Sequence, residues 1–197
     1  MSIPLYLSMG AFALAASISP GPVNVVALTS GVHHGFRASL RHVTGATFGF
    51  TLLLLLAGFG LAGALERWPM AAEAVRWSGV AFLLFMAWRL WSADGAVAAG
   101  AAARAPSAAG GATLQWLNPK AWIAAVAGMG TYGIGGGGAQ IWHFAAIYFV
   151  VCYASIACWA YAGACLRHVL DDPRRMRLFN RAMSVLLAAS AAYMLRA

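Results

Sequence analysis

Long apolar runs separated by short polar ones dominate this chain. Residues 1–32 hold no charged side chain. Only Ser19-Pro20-Gly21-Pro22 interrupts them, which predicts a first helix from about Pro4 to Val32, broken in its middle. A polar stretch follows, from His33-His34-Gly35-Phe36-Arg37 through Arg41-His42. Val43 to Leu65 is again uncharged and predicts helix 2. After the turn Glu66-Arg67-Trp68-Pro69, helix 3 is expected over Met70 to Trp91. Asp94 to Gly111 is rich in Ala and Gly and reads as a flexible loop. Helix 4 is expected over Ala112 to Gly133, with Asn118-Pro119-Lys120 inside it. The glycine tract Gly135 to Gly138 is too permissive to continue a helix. Helix 5 spans Ile141 to Leu166. The charged stretch Arg167 to Arg177 leads to helix 6, Leu178 to Leu195. A membrane-spanning helix needs about 20 apolar residues, so each run is long enough to cross a bilayer.

Composition supports that class. Of the 197 residues, 62% are hydrophobic and 9% charged. Soluble domains carry about 25% charged residues, so a water-facing fold is excluded. The net charge of +8 does not indicate nucleic acid, because the bases lie between apolar runs rather than on one solvated face. The start lacks the basic n-region of a signal peptide and reads as a span.

The bases give an orientation. Arg37, Arg41, Arg89, Arg104, Arg167, Arg174, Arg175, Arg177 and Arg181 fall on one side, and Arg67, Arg76 and Arg196 on the other. The positive-inside rule makes the first side cytoplasmic and both termini periplasmic. Trp68, Trp77 and Trp142 near one face and Trp88 and Trp91 near the other fit aromatic belts, or packing. The fold expected is all-α and integral to the membrane. One domain over 1–197 holds two inverted three-helix repeats, about 1–92 and 112–197, joined by a loop over 93–111.

Interrupted spans at corresponding places in two halves mark the binding site of secondary transporters, though prolines also kink helices for packing. In Ser17-Ile18-Ser19-Pro20-Gly21-Pro22-Val23-Asn24 the prolines release carbonyls and start a second half-helix whose first N–H groups lack partners. Such an end attracts a carboxylate. Ser19, Pro20, Gly21, Pro22 and Asn24 are therefore candidate substrate contacts, against the alternative of a structural kink with Asn24 bonded to a neighbour. Gln115, Asn118, Pro119 and Lys120 form the counterpart. A lysine in a span costs about 2.5–3.5 kcal/mol on insertion scales. Either a substrate pathway tolerates it, or its side chain snorkels to the interface. Gly31-x3-Gly35, Gly45-x3-Gly49 and Gly60 to Gly63 suggest close helix approach. An exposed face of this kind would allow a homodimer, and the same face would also serve internal packing. Cys152, Cys158 and Cys165 lack zinc or redox spacing and read as small packers. No catalytic or ATP-binding motif occurs, so neither an enzyme, a metal nor a cofactor is expected.

Taken together, Pro20-Gly21-Pro22-x-Asn24, His34-Gly35-Phe36-Arg37, Gly45-x3-Gly49, Asn118-Pro119-Lys120 and the closing Phe179-Asn180-Arg181 resemble the LysE/RhtB amino-acid exporter family. Gly49-Phe50, Leu114-Gln115-Trp116-x-Asn118 and Cys158-Trp159-Ala160-x-Ala162-Gly163 are similar to its cysteine/O-acetylserine exporter branch. The resemblance implies efflux of small amino acids or their derivatives across a bacterial inner membrane, driven by protons. Phe50 stands where many relatives have an acid. With all five acids in loops or near helix ends, coupling would fall to Lys120, His42, Glu73 or the substrate itself. A passive channel or a non-transporting scaffold is the competing reading.

Overall fold

The computed structural model describes residues 2–61, 69–93, 106–133, 137–170 and 172–196. Among them, eight α-helices and no strands occur: α1 Ile3–Ile18, α2 Pro22–His34, α3 Phe36–Leu56, α4 Pro69–Trp91, α5 Ala108–Trp116, α6 Pro119–Tyr132, α7 Gly137–Leu166 and α8 Pro173–Arg196. Among the described residues two stretches are long and apolar enough to cross a membrane, Phe36–Gly60 and Gly138–Leu166. The pair α1 and α2, bent by 61°, makes a third if taken as one span.

The inside and outside of this bundle are those of a protein dissolved in lipid. Leu7, Phe48, Leu52, Val150 and Val185 point outward and are more than half exposed. Asn24, Thr47, Gln115, Asn118, Ser155 and Asn180 are buried. Only a surrounding apolar phase makes that distribution favourable. Trp77, Trp88, Trp91 and Trp142 are also more than half exposed, on the outer surface where aromatic belts lie.

Local chemistry sets the helix ends. Five of the described helices carry Pro in the first turn, where its missing N–H costs nothing: Pro4 in α1, Pro22 in α2, Pro69 in α4, Pro119 in α6 and Pro173 in α8. The polar stretch expected between helices 1 and 2 is corrected to a turn at Gly35 alone. Its φ of 78° suits glycine, and Arg37, Arg41 and His42 are helical. Further on, α5 starts at Ala108, inside the expected loop, because Ser107 caps it by accepting from the Gly110 N–H at 3.0 Å. Helix α7 starts at Gly137, so part of the glycine tract is helical after all. Helix α8 starts at Pro173, where Asp172 accepts from the Arg174 N–H at 2.7 Å. The expected turn at 66–68, the loop over 94–105, Gly135, Gly136 and Asp171 lie outside the described residues.

Glycines build two close seams. A methyl group on Gly31 or Gly163 would overlap the carbonyl of Ala160 or Leu28, so α2 and α7 meet backbone to backbone. A methyl on Gly45 would overlap the Ala108 carbonyl, and one on Gly111 the His42 carbonyl, so α3 and α5 do the same. Gly49 closes this second seam on Ala112. The small-residue motifs at Gly31 and Gly45 are therefore used for internal packing. A third pairing joins α4 to α8, where Ser184 Oγ donates to the Ala87 carbonyl at 2.7 Å and Arg181 lies 5.2 Å from the Trp91 ring.

The seams generate a stability prediction. Gly45→Ala and Gly163→Ala each destabilise the protein by about 1–3 kcal/mol, the usual cost of overpacking. Gly10→Ala and Gly130→Ala, helical positions whose added methyls meet open space, leave stability unchanged or raise it by up to about 1 kcal/mol, the helical preference for Ala over Gly. Thermal unfolding of the purified protein in detergent separates the two classes.

Candidate functional site

The break between α1 and α2 opens a set of carbonyls in the middle of the bundle. The last four carbonyls of a helix have no intrahelical partner, and here none is left bare. Ser19 Oγ donates to Ala16 O at 3.2 Å. Asn24 Nδ2 donates to Ser17 O at 2.8 Å and to Ser19 O at 2.9 Å. Trp159 Nε1, from α7, donates to Ile18 O at 3.0 Å. Lys120 Nζ, from α6, donates to Ser19 O at 2.6 Å, to Ser19 Oγ at 2.7 Å and to Pro20 O at 3.4 Å. Lys120 therefore does not snorkel to an interface. It crosses from the second break to the first.

The second break is closed differently. Asn118 is the N-cap of α6, with Oδ1 accepting from the Lys120 N–H at 3.2 Å. Its Nδ2 donates to Gln115 Oε1 at 3.4 Å, and Trp122 Nε1 donates to Trp116 O at 2.8 Å. The N-terminus of α6 is thus capped by its own sequence. That of α2 is not: Gly21 makes no side-chain cap, and the Val23 and Asn24 N–H groups have no intrahelical carbonyl within reach.

A small cavity of about 40 Å³ lies between the breaks. Its walls are Ala16 and Ser17 of α1, Gly21, Val23 and Asn24 at the start of α2, Phe50 of α3, Gln115 and Asn118 at the end of α5, Lys120, Ala121 and Ala124 of α6, and Tyr148, Cys152 and Ile156 of α7. This volume holds a few waters, each needing about 10–15 Å³. Ser17 Oγ is buried with no hydrogen-bond partner. The Cys152 thiol, a weak partner, neighbours the hydroxyls of Ser17 and Thr47. Phe50 and Tyr148 stack against each other with ring centroids 4.5 Å apart.

One helical turn to one side, Phe12, Tyr132 and Phe144 form an aromatic cluster with centroids 5.0–6.2 Å apart. The Tyr132 hydroxyl sits 2.7 Å from Ser8 Oγ. One turn to the other side lie the glycine seams. A larger groove of about 450 Å³ borders the breaks laterally, lined by Pro20, Gly21, Pro22, Val25, Asn118, Pro119, Lys120 and Ile123 together with Leu186, Ala189 and Ser190 of α8. That volume falls in the range of about 300–1,000 Å³ usual for small-molecule sites.

Every candidate substrate contact thus borders one space or the other, or in the case of Ser19 bonds directly to Lys120, whereas the coupling candidates His42, buried on α3, and Glu73, bonded to Trp77 on α4, border neither. Tyr148 and Cys152 were not singled out. Their signal was the spacing Tyr148, Cys152, Ser155, which puts three polar groups on one face of an apolar helix. Cys152 is buried, whereas Cys158 and Cys165 are exposed. Among the described residues no group of three His, Cys, Asp or Glu is placed to hold a metal.

The model of the LysE type translocator family matches residues 14–197. The cysteine/O-acetylserine efflux protein of Escherichia coli strain K12 is 28% identical over 196 residues, covering 98% of this chain and 96% of that protein. The protein of the same name from Shigella flexneri is 28% identical over 194 residues, covering 96% and 95%. No solved structure matches. The family and the relatives matched are translocators and efflux proteins rather than enzymes. With its family model aligned across the two breaks and every helix that walls the cavity, this chain belongs to the LysE type translocators.

Proposed function

We propose that the protein is a secondary transporter that exports a small amino acid or amino-acid derivative across the bacterial inner membrane, in exchange for protons. The observation that carries this reading is that two interrupted helices from opposite halves of the chain meet at one polar cavity. Lys120 of the second break is bonded to the carbonyls of the first.

The reading includes six spans in two inverted repeats: α1–α2, α3 and α4, then α5–α6, α7 and α8. The pairing of helices supports it. Phe12 meets Phe144 and Ile18 meets Trp159, so the first broken span runs parallel to α7. Gly45 meets Ala108 and Gly49 meets Ala112, so α3 runs parallel to the second broken span. A two-fold swap of the halves exchanges these two pairs. Phe48 meets Phe149 and Phe50 meets Tyr148, which makes α3 and α7 antiparallel. Ala87 meets Ser184 and Trp91 meets Arg181, which makes α4 and α8 antiparallel. Each of these pairs maps onto itself under the same swap. With the bases cytoplasmic, both termini are periplasmic and both glycine seams lie in the cytoplasmic half.

The substrate's carboxylate is bound by the unpartnered N–H groups at the start of α2 and by the Lys120 ammonium. Gln115 and the free Oδ1 of Asn24 receive its amino group. Asn24 also holds the broken end of α1 in place, since both its amide protons are committed to carbonyls. The relatives named for cysteine and O-acetylserine suggest a short, uncharged side chain, and the wall of Ser17, Phe50, Tyr148 and Cys152 suits one. Among the cavity residues there is no Asp or Glu, so the proton is carried by another group or by the substrate. Transport proceeds as one three-helix half rocks against the other. A homodimer, if formed, uses surface other than the two glycine seams.

Inside-out vesicles containing the protein are expected to accumulate labelled cysteine or O-acetylserine against a gradient when a proton gradient is imposed. Equilibration without accumulation would identify a passive channel, and no uptake beyond empty vesicles a scaffold. Lys120→Ala and Asn24→Ala are each expected to reduce uptake at least about tenfold while reaching the membrane. Asn24→Ala also lowers thermal stability, because each buried carbonyl left unsatisfied costs about 1–3 kcal/mol. Uptake at the parental rate by both variants removes these residues from the site.

A further inference from the structure

The small cavity and the lateral groove share Gly21, Asn118 and Lys120 in their walls. One turn away on one side of the cavity lies the Phe12–Tyr132–Phe144 cluster, and on the other the glycine seams. Lys120 stands where the cavity meets the groove.

We infer that the Lys120 side chain is a gate between groove and cavity, latched shut on the carbonyls of the first break and drawn open by the carboxylate of an arriving ligand. The latch is visible in its bonds. Three acceptors, Ser19 O, Ser19 Oγ and Pro20 O, engage the ammonium, and all are neutral. A carboxylate carries a full opposite charge, so it attracts the ammonium more strongly than a carbonyl or hydroxyl dipole does at the same distance. A ligand in the groove therefore competes for the ammonium and pulls it off the break.

Gly21 is the notch in which the latch lies. A Cβ at this position would fall 3.1 Å from Lys120 Cδ and 3.3 Å from Nζ. The backbone there, with φ −171° and ψ 173°, is extended and open to any residue. The missing side chain thus provides room for the lysine rather than conformational freedom. Once Lys120 swings toward the groove, Gly21 is uncovered and the two spaces join. The gate thereby tests for a carboxylate before the ligand's side chain reaches Ser17, Phe50, Tyr148 and Cys152. An amine of equal size without a carboxylate does not open it. The choice of ligand rests on the transport reading above; the gate itself does not.

Cys152, in the cavity wall and 3% exposed, is a reporter already in place. In a Cys158→Ser, Cys165→Ser background, its alkylation by a small neutral iodoacetamide is followed by mass spectrometry on the purified protein. Without ligand, Lys120→Met and Ser19→Ala are each expected to speed alkylation at least about tenfold, the effect of removing one hydrogen bond to a charged group. Ser19→Ala keeps the amine and removes one of its acceptors, so agreement of the two variants separates gating from loss of charge. In the parent, O-acetyl-L-serine or L-serine is expected to speed alkylation, and ethanolamine is not. Rates in both variants equal to the parent's would overturn the gate. Acceleration by ethanolamine as well, or by none of the three, would overturn opening by carboxylate. A failed transport assay with these labelling results intact would count against the function proposed and not against the gate.

Discussion

A carbonyl released inside a bilayer has no water to turn to, and everything else in this protein is arranged around that fact. The prolines at 20 and 22 end α1 in the middle of the bundle and expose a ring of acceptors. Donors from three elements converge on them: Asn24 at the start of α2, Trp159 of α7 and Lys120 of α6. Each donor fixes its own element relative to the break. The break is consequently the junction of both halves of the chain rather than a weak point in one helix.

Rigidity and access are divided between different kinds of contact. The seams Gly31–Ala160 and Gly45–Ala108 bring backbones together with no side chain between them. Such contacts have no slack, so movement there displaces whole helices. The aromatic cluster on the other side of the cavity is held by ring faces and edges and by the Tyr132 hydroxyl on Ser8, which rearrange with rotamer changes. The cavity lies where the two regimes meet, with a flexible lysine along its lateral wall. The proposed rocking of the halves and the proposed swing of one side chain therefore rest on different contacts.

Both breaks were legible in the sequence, because Pro20-Gly21-Pro22 and Asn118-Pro119 carry their conformational consequences with them. So was the membrane class, since five acids among 197 residues leave no surface for water. The family followed from motifs spread along the whole chain. Partners were less legible. That Asn24 turns both amide protons back on its own helix end, and that Lys120 reaches across about a hundred positions to Ser19, are tertiary facts no local pattern encodes. Helix ends were misjudged where one residue decides them: Gly35 replaces a loop of several residues, and the Ser107 cap starts α5 in a stretch whose composition reads as a linker. Cys152 looked like its neighbours Cys158 and Cys165. Only the packing of α7 against α1 and α3 sets it apart.

The brevity of α5 has a consequence for how the chain is made. Its nine residues and the fourteen of α6 each fall short of the roughly 20 needed to cross a bilayer. Between them lies the polar pair Asn118 and Lys120. This segment gains its place in the membrane from a helix that already stands there, since the glycine face of α3, synthesised some sixty residues earlier, offers Gly111 its seam. The first broken segment is in the reverse position: its partner α7 leaves the ribosome more than a hundred residues after it. One discontinuous span must wait for its companion, and the other arrives to find one. Each broken segment is thus seated on a helix of the other half, α5 on the earlier α3 and α1–α2 on the later α7, so neither half completes its packing alone.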